Sequence, residues 1–348
     1  MKKTVCIMFG GRSSEYEVSL HSASSVLRNI DRDKYDIVTV GVTKDGQWYI
    51  FNGSADEVEN GSWINDKEKN IRVAVSPSYK NFGFVTEKGD FVKVDVIFPV
   101  MHGANCEDGT LQGLFELSGV KFVGPGCAAS AVSMDKSVTK AVLNSYNVLQ
   151  AKSVTVTENS LKNEFDLISK EVDALSYPVF VKPASAGSSV GVCKVHEREQ
   201  LFGALKNSIV YGGKVLVEEY VKGKEIEVAV MGNDEPVASC PGEIDPGAEF
   251  YDYDTKYVSN VASLYIPARL DAEVSQKIRD IAVRIYKLIG CKGLSRVDFF
   301  VKEDNTIVFN EINTMPGFTS ISMFPKLFVH SGLSYTELIT KLIELAEE

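Results

Sequence analysis

Six cysteines are scattered over 348 residues (Cys6, Cys106, Cys127, Cys193, Cys240 and Cys291), and no two form a C-x-x-C pair. That spacing fits neither a zinc site nor a secreted disulfide framework, and it implies a reducing compartment. A basic surplus is missing too: 37 Lys and Arg stand against 47 Asp and Glu, a formal net charge of −10. General nucleic-acid binding is therefore not expected, although a few local lysines can still hold a nucleotide. No apolar run approaches the roughly 20 residues of a membrane span. The opening MKKTVCIMFGG meets glycines too soon for a signal segment. A cytoplasmic protein without a membrane partner is the expectation. The G-x-G-x-x-G fingerprint of dinucleotide binding is also absent, which weakens an oxidoreductase reading.

What is present reads as an ordinary globular chain, 44% hydrophobic and 24% charged, long enough for two or three domains. Strand and helix alternate in the first third. TVCIMF, YDIVTVGV and VDVIFPV read as buried strands. VSLHSASSVLRNI puts Ala23, Val26, Leu27 and Ile30 on one helical face. The repeat predicts a parallel sheet with ligands beyond its carboxyl ends. A polar, turn-rich stretch separates these elements from about residue 45 to 89. Later sequence is richer in alternating strands, and the expected units are 1–128, 129–224 and 225–348.

Four segments carry the candidate chemistry. In GGRSSEYEVSL, Ser14 and Glu17 fit a capping box, whereas Glu15 lies at a strand–loop–helix mouth where a carboxylate could bind an ammonium. In MHGANCEDG, His102 follows a buried strand and is read as a ligand-side residue, with a satisfied near-core histidine as the alternative. Glu107 and Asp108 precede a helix, where acids complement its dipole. In VFVKPASAGSSVGV, Lys182 is followed by small residues over 183–189, which suits either a phosphate cradle or a plain hairpin turn.

The fourth segment is LSRVDFFVKEDNTIVFNEINTMPGF. A two-residue turn at Asp304-Asn305 would set Asp298 opposite Glu311 and Arg296 opposite Asn313, all on one face. Opposed carboxylates repel unless a cation lies between them. Two carboxylates and an amide oxygen suit Mg²⁺ shared with phosphates. Phe300 and Phe309 would share that face and could wall an adenine. A solvated hairpin is the bland alternative, disfavoured because Glu311 and Asn313 sit in an apolar run.

Taken in order, GGRSSEYEVSL, HGANCEDGTLQG, SMDK, VKPASAGSSVGV, EFYDYDTKY, SRVDFF and NEINTMPGFTS resemble the D-alanine–D-alanine ligase family of the ATP-grasp superfamily. The D-alanine–D-serine ligases of vancomycin-resistance type are included in that likeness. It implies an α/β fold (α+β in its C-terminal part), with a Rossmann-like N-terminal domain and ATP gripped between the two that follow. It also implies D-alanine, possibly D-serine, as substrate, two Mg²⁺ ions (Mn²⁺ possible) and a homodimer. Lys136, Lys182, Ser188 and Ser189 would meet ATP phosphates. Glu218, Glu219, Tyr220, Val221, Glu225, Phe250, Lys256, Phe300 and Asn310 would complete the nucleotide site. Asp298, Glu311 and Asn313 would hold the metal ions. Glu15, supported by Ser188 and Tyr257, would hold the first D-alanine, with His102 nearby. Arg296 and the backbone at Gly317 would stabilise the oxyanion, and Ser322 and Met323 would face the acceptor. Cys106 stands where the family commonly has glycine, and Ile321 where it often has an aromatic or histidine. Tyr257 is the residue type associated with amino acceptors, so D-lactate is disfavoured. Another ATP-grasp ligase, or a silent nucleotide-binding regulator, are the rival readings.

Overall fold

Period-two alternation and continuous β-branched runs sort the chain into three sheets. A computed structural model describes residues 2–245 and 263–348. The first sheet contains β1 (Lys3–Gly10), β2 (Tyr35–Val42), β3 (Trp48–Phe51), β4 (Asn70–Ser76), β5 (Gly83–Thr86), β6 (Phe91–Lys93), β7 (Val96–Pro99) and β8 (Lys121–Phe122), in the order β6-β5-β4-β3-β2-β1-β7-β8. β1 runs parallel to β2 and β7, and β7 parallel to β8, as the alternating pattern predicts. The turn-rich stretch differs from expectation. It forms β3 to β6, an antiparallel extension of the same sheet. The helix Ala55–Glu59 and a single helical turn at Ser62–Ile64 interrupt it between β3 and β4, and β5 and β6 are only four and three residues long, so the strand pattern is broken into pieces.

The helix Tyr16–Asn29 covers one face, burying Ala23, Val26 and Leu27. The expected capping box does not form at its start. Glu15 is the N-cap residue without a side-chain cap bond, and Glu17 instead pairs with Lys44 at 2.5 Å. The C-terminal helix Tyr335–Glu347 returns to this core, where Leu338, Ile339, Leu342 and Ile343 are wholly buried with Val5 and Ile7. It does carry a capping box, between Ser334 and Glu337.

The second sheet holds β9 (Ser153–Thr157), β10 (Val179–Pro183), β11 (Cys193–Val195) and β12 (Lys214–Glu219), ordered β11-β10-β12-β9 and antiparallel throughout. The third holds β13 (Lys224–Met231), β14 (Val237–Ala238), β15 (Gly242–Asp245), β16 (Ser263–Tyr265), β17 (Leu294–Val301) and β18 (Ile307–Asn313), ordered β16-β15-β13-β17-β18 with β14 on β13. The helix Ala272–Ile289 packs Ile278, Ala282 and Ile285 against Val228, Val297 and Phe299.

The hairpin β17–β18 sets the site. Asp298 does pair with Glu311, and Arg296 with Asn313. The turn is not the expected two-residue one, however. Lys302 bonds Thr306, leaving Glu303, Asp304 and Asn305 as the loop, with Asn305 at φ 63°. A β-bulge opposite the Asp298–Phe299 step then absorbs the extra residue, Asn310. The bulge restores the register beyond it but changes it before. Phe309 pairs with Phe299 and is buried in the core at 2% exposure, so it cannot wall a nucleotide. Phe300 alone keeps that position.

Candidate active site

The carboxyl ends of β1 and β7 lie side by side, and they carry Glu15 and His102 on adjacent loops. Ser19 stitches the two: its hydroxyl accepts from the Gly10 N–H at 2.8 Å and donates to the Val100 carbonyl at 2.5 Å. Glu15 is nearly buried, and its carboxylate receives the Ser188 hydroxyl from the loop after β10. Gly103 and Gly187 close on it from two sides. A Cβ at either would stand 2.6 or 2.9 Å from Oε2 and would displace the carboxylate, and Gly103 also needs its left-handed backbone.

His102 is buried, and both ring nitrogens are occupied. Nδ1 lies 3.0 Å from the Met315 carbonyl and 3.4 Å from Glu107 Oε1, and Nε2 lies 3.1 Å from Ser22 Oγ. The ring lines the small pocket but offers no unused nitrogen to a ligand, so the alternative reading, a satisfied histidine, describes it better. Glu107 differs from expectation as well. The capping task falls to Asp108, which accepts from the Thr110 N–H, while Glu107 turns inward to His102. Burial pushes the Glu107 carboxyl up to about 6; His102 opposes this and the nearby Glu15 reinforces it. On His102 burial disfavours the charge, but the neighbouring carboxylates outweigh it and raise its pKa.

Cys106 is buried beside Gly11 and Met101, and the left-handed positions in its loop are Gly103, Asn105 and Gly109. The cysteine thus enters the core without straining the backbone.

Arg296 is the internal cation of the hairpin. It makes two bonds of 2.8 Å to Asp298 and lies 3.1 Å from Glu227 Oε2. Burial works against its charge, but Asp298 and Glu227 hold it firmly protonated. Asn313 Nδ2 donates to Asp298 at 2.9 Å, so its amide oxygen is the atom that can accept a hydrogen bond or bind a cation. Glu311 faces Lys136 at 3.5 Å. Asp298, Glu311 and Asn313 therefore present two carboxylates and an amide oxygen from adjacent strands, a donor set suited to a hard cation. Among the described residues no cluster of three or more His, Cys, Asp or Glu is poised for a metal without such an amide.

Lys136 donates to the Ala186 carbonyl at 3.0 Å, and its own backbone N–H reaches the Ala184 carbonyl. It is thus tied to the small-residue loop. Ser188 and Ser189 both occupy the left-handed region, at φ 50° and 57°. Two successive non-glycine residues there are strained, a trait of ligand-binding loops. Lys182 pairs with Glu218 at 2.6 Å and lies 3.5 Å from Asn310 Oδ1. Lys140, which sequence reasoning missed, pairs with the other Glu218 oxygen at 2.8 Å. Its signal was its spacing, one helical turn after Lys136. Burial would raise the Glu218 pKa, yet Lys182 and Lys140 hold it at about 2.

The site comprises two joined cavities. One, of about 100 Å³, is lined by Glu15, His102, Glu107, Ser188, Arg296 and Gly317. The other is a cleft of about 840 Å³ between the second and third sheets, lined by Lys136, Lys182, Ser188, Ser189, Glu218, Tyr220, Val221, Glu225, Phe300 and Asn310. Phe180, also missed, lines it beside Tyr220, ring centroids 5.9 Å apart. Lys136, Ser188 and Glu311 border both cavities. Glu219 also reaches the cleft, with its carboxylate accepting from the Lys152 N–H at 2.9 Å.

Two expected residues fall elsewhere. Met323 is in the core at 4% exposure, its sulfur against Gly242, because the first turn of helix Met323–His330 points inward. Ser322 lines neither cavity. Its hydroxyl is engaged by the Thr319 N–H and hydroxyl at 3.0 and 2.8 Å, and packs close to Gly317. Phe250, Lys256 and Tyr257 lie outside the described residues.

Comparison with known proteins agrees with this geometry. Residues 4–125 match the family described as D-ala D-ala ligase N-terminus, and 142–344 match D-ala D-ala ligase C-terminus. The chain belongs to the D-alanine–D-alanine ligase family. Over 348 residues it is 50% identical to the D-alanine–D-alanine ligase of Clostridium acetobutylicum, covering 99% of this chain and 98% of the other. Among solved structures, the VanG D-Ala:D-Ser ligase from Enterococcus faecalis superposes with TM-score 0.92 at 41% identity, covering 99% and 100% of the two chains. The D-alanine–D-alanine ligase from Bacillus anthracis, complexed with ATP, superposes with TM-score 0.74 at 25% identity, covering 99% and 97%. The family's ATP-grasp architecture accounts for the two sheets that face each other across the larger cleft.

Proposed function

We propose that this protein joins two D-alanines into a dipeptide for peptidoglycan precursors, splitting ATP to ADP and phosphate through an acyl phosphate. One observation carries the reading. A small pocket holding Glu15 opens, across Lys136, Ser188 and Glu311, into a nucleotide-sized cleft holding Lys182. An amino acid in the first and a triphosphate in the second would meet at Glu311.

The residues divide the work. Glu15, held by Ser188 and enclosed by Gly103 and Gly187, accepts the ammonium of the first D-alanine. Lys136 and Lys182 neutralise phosphate oxygens, and the 184–190 loop covers them and excludes water, which would destroy the acyl phosphate. Phe180, Val221 and Phe300 sandwich the base, and Glu225 reaches the ribose. Asp298, Glu311 and Asn313 would hold Mg²⁺ or Mn²⁺. Such ions supply charge compensation to the transferring phosphoryl group. Arg296, preset by Asp298 and Glu227, together with the backbone at Gly317, stabilises the oxyanion formed as the second amine attacks. His102 and Glu107 position the loop behind Glu15. Tyr257, Lys256 and Phe250 retain the roles that the resemblance implies. The three-unit division at 128 and 224, a homodimer and a cytoplasmic location belong to the same proposal. No helix among the described residues is long and apolar enough to cross a membrane.

A second reading is supported by the VanG likeness and by Ile321, 54% exposed beside Ser322. It makes D-serine the acceptor. Phosphate release with D-alanine alone, then with D-serine added, followed by mass analysis of the products, separates the two. D-alanyl-D-alanine unaffected by D-serine is the expected result, a dominant mixed dipeptide would favour the second reading, and no phosphate release would overturn both.

A further inference from the structure

Lys140 is buried, at 7% exposure, behind the wall of the larger cleft rather than in it. Its ammonium donates to the Ala151 carbonyl at 2.9 Å and pairs with Glu218 Oε1 at 2.8 Å. Taking a lysine out of water is costly unless its partner needs it. The partner here is a buried carboxylate with two counterions, buried Lys140 on one oxygen and half-buried Lys182 on the other. Only Lys182 borders the cleft.

That asymmetry matters once a triphosphate enters. Phosphate oxygens draw Lys182 away from Glu218 Oε2. A buried carboxylate stripped of both counterions would take up a proton and become a donor. Lys140 cannot follow Lys182, because the Ala151 carbonyl and Glu218 Oε1 hold it in place. Glu218 then stays ionised, and Oε2 becomes an unshared acceptor. Glu218 shares the lining of the cleft with Ala151, Val221 and Phe300, which pack with Val308 in one apolar cluster. A planar base in that slot would present its exocyclic 6-substituent to a carboxylate. A 6-amino group donates to it, whereas a 6-oxo group meets it oxygen to oxygen.

We propose that Lys140 is a positioning residue for the nucleotide: it holds Glu218 ionised and oriented after Lys182 turns to phosphate, and so selects a 6-amino over a 6-oxo purine. This rests on the reading of the cleft as the ATP site. The test measures dissociation constants of ATP and ITP by calorimetry, with Mg²⁺, for the native protein, Lys140→Met, Lys140→Gln and Lys140→Arg. The native protein should prefer ATP strongly. In the Met and Gln variants ATP binding should weaken about tenfold or more, and the ATP-to-ITP preference should fall to about threefold or less. The Arg variant should keep most of both, because it restores the charge. Equal weakening of ATP and ITP, with the preference intact, would make Lys140 a structural staple and overturn the proposal. So would loss of folding in both neutral variants beside a fully native Arg variant. Binding constants are read without turnover, so absence of ligase activity would sink the proposed reaction and leave this test standing. Absence of nucleotide binding to the native protein would sink both.

Discussion

Two buried glutamates, Glu218 and Glu107, mark the opposite ends of the site. Both lose water, and burial pushes both carboxyls upward. At Glu218 two lysines within 2.8 Å reverse that push and bring it to about 2. At Glu107 the partners are a histidine and a second carboxylate, Glu15, and the result is about 6. Neighbouring charge, not burial, decides the outcome. The cation-rich end is built for phosphate anions. The acid-rich end, where Glu15 and Glu107 share the small pocket, suits a ligand that brings its own positive charge. Between them the hairpin supplies Arg296 and Glu311, where the two substrates would react.

The strongest way to break this division is at the hairpin. Glu311→Gln keeps the shape of the side chain and removes half of the anionic donor set beside Lys136. Metal-dependent phosphate release is expected to fall by about 100-fold or more, with the far-ultraviolet spectrum and melting curve unchanged. Near-native turnover in that variant would leave Asp298 and Arg296 as an ordinary ion pair.

The acid-rich end is sharpened by Glu15→Gln. The KM for the first D-alanine should rise by about tenfold or more, while that for ATP moves by about twofold or less. Parallel changes in both constants would mean that Glu15 serves to seat the Ser188 loop over phosphate and not to receive an ammonium.

These two residues stand out in the amino-acid sequence alone, and the reasons are instructive. Glu15 had no capping task to explain it. The hairpin pair followed from alternation and a turn signal, but the pairing held for a reason not anticipated. A three-residue loop with Asn305 left-handed shifted the strands by one, and the bulge at Asn310 shifted them back. Phe309 lies between the two corrections, so its side chain went to the core. The bulge also lets consecutive residues, Asn310 and Glu311, line the same cleft. Lys140 and Glu107 were illegible for another reason. Each had an acceptable surface role, a helical lysine and a helix-dipole acid. Only the long-range pairing with Glu218 or His102 turned them inward. Met323 erred in the opposite direction: its place after Ser322 suggested a pocket, but helix phase buried it.

The smallest predicted effect tests the comparison directly through pH. Glu218 sits below its ordinary pKa of 4.5, so its contribution to stability is present above pH 4.5 and is lost as pH falls toward 2. Glu107 sits above 4.5, so the folded state binds more protons than the unfolded one between pH 4.5 and 6. Its contribution to stability therefore falls as pH rises through that window. His102, raised above 6.5, extends the fall upward. The two glutamates act in adjoining windows with opposite slopes. Glu218→Gln leaves buried Lys140 and half-buried Lys182 without their shared counter-charge, and about 3 kcal/mol of stability should be lost at pH 7. Glu107→Gln removes an ionisation that the fold resists, so stability at pH 7 should change by only about 1 kcal/mol or less, and its decline between pH 5 and 7 should flatten. Urea midpoints of the native protein and both variants at pH 5 and 7 read all of this. A decline left unchanged in Glu107→Gln would show that Glu107 is held ionised like Glu218, and that the two ends of the site are not opposite in character.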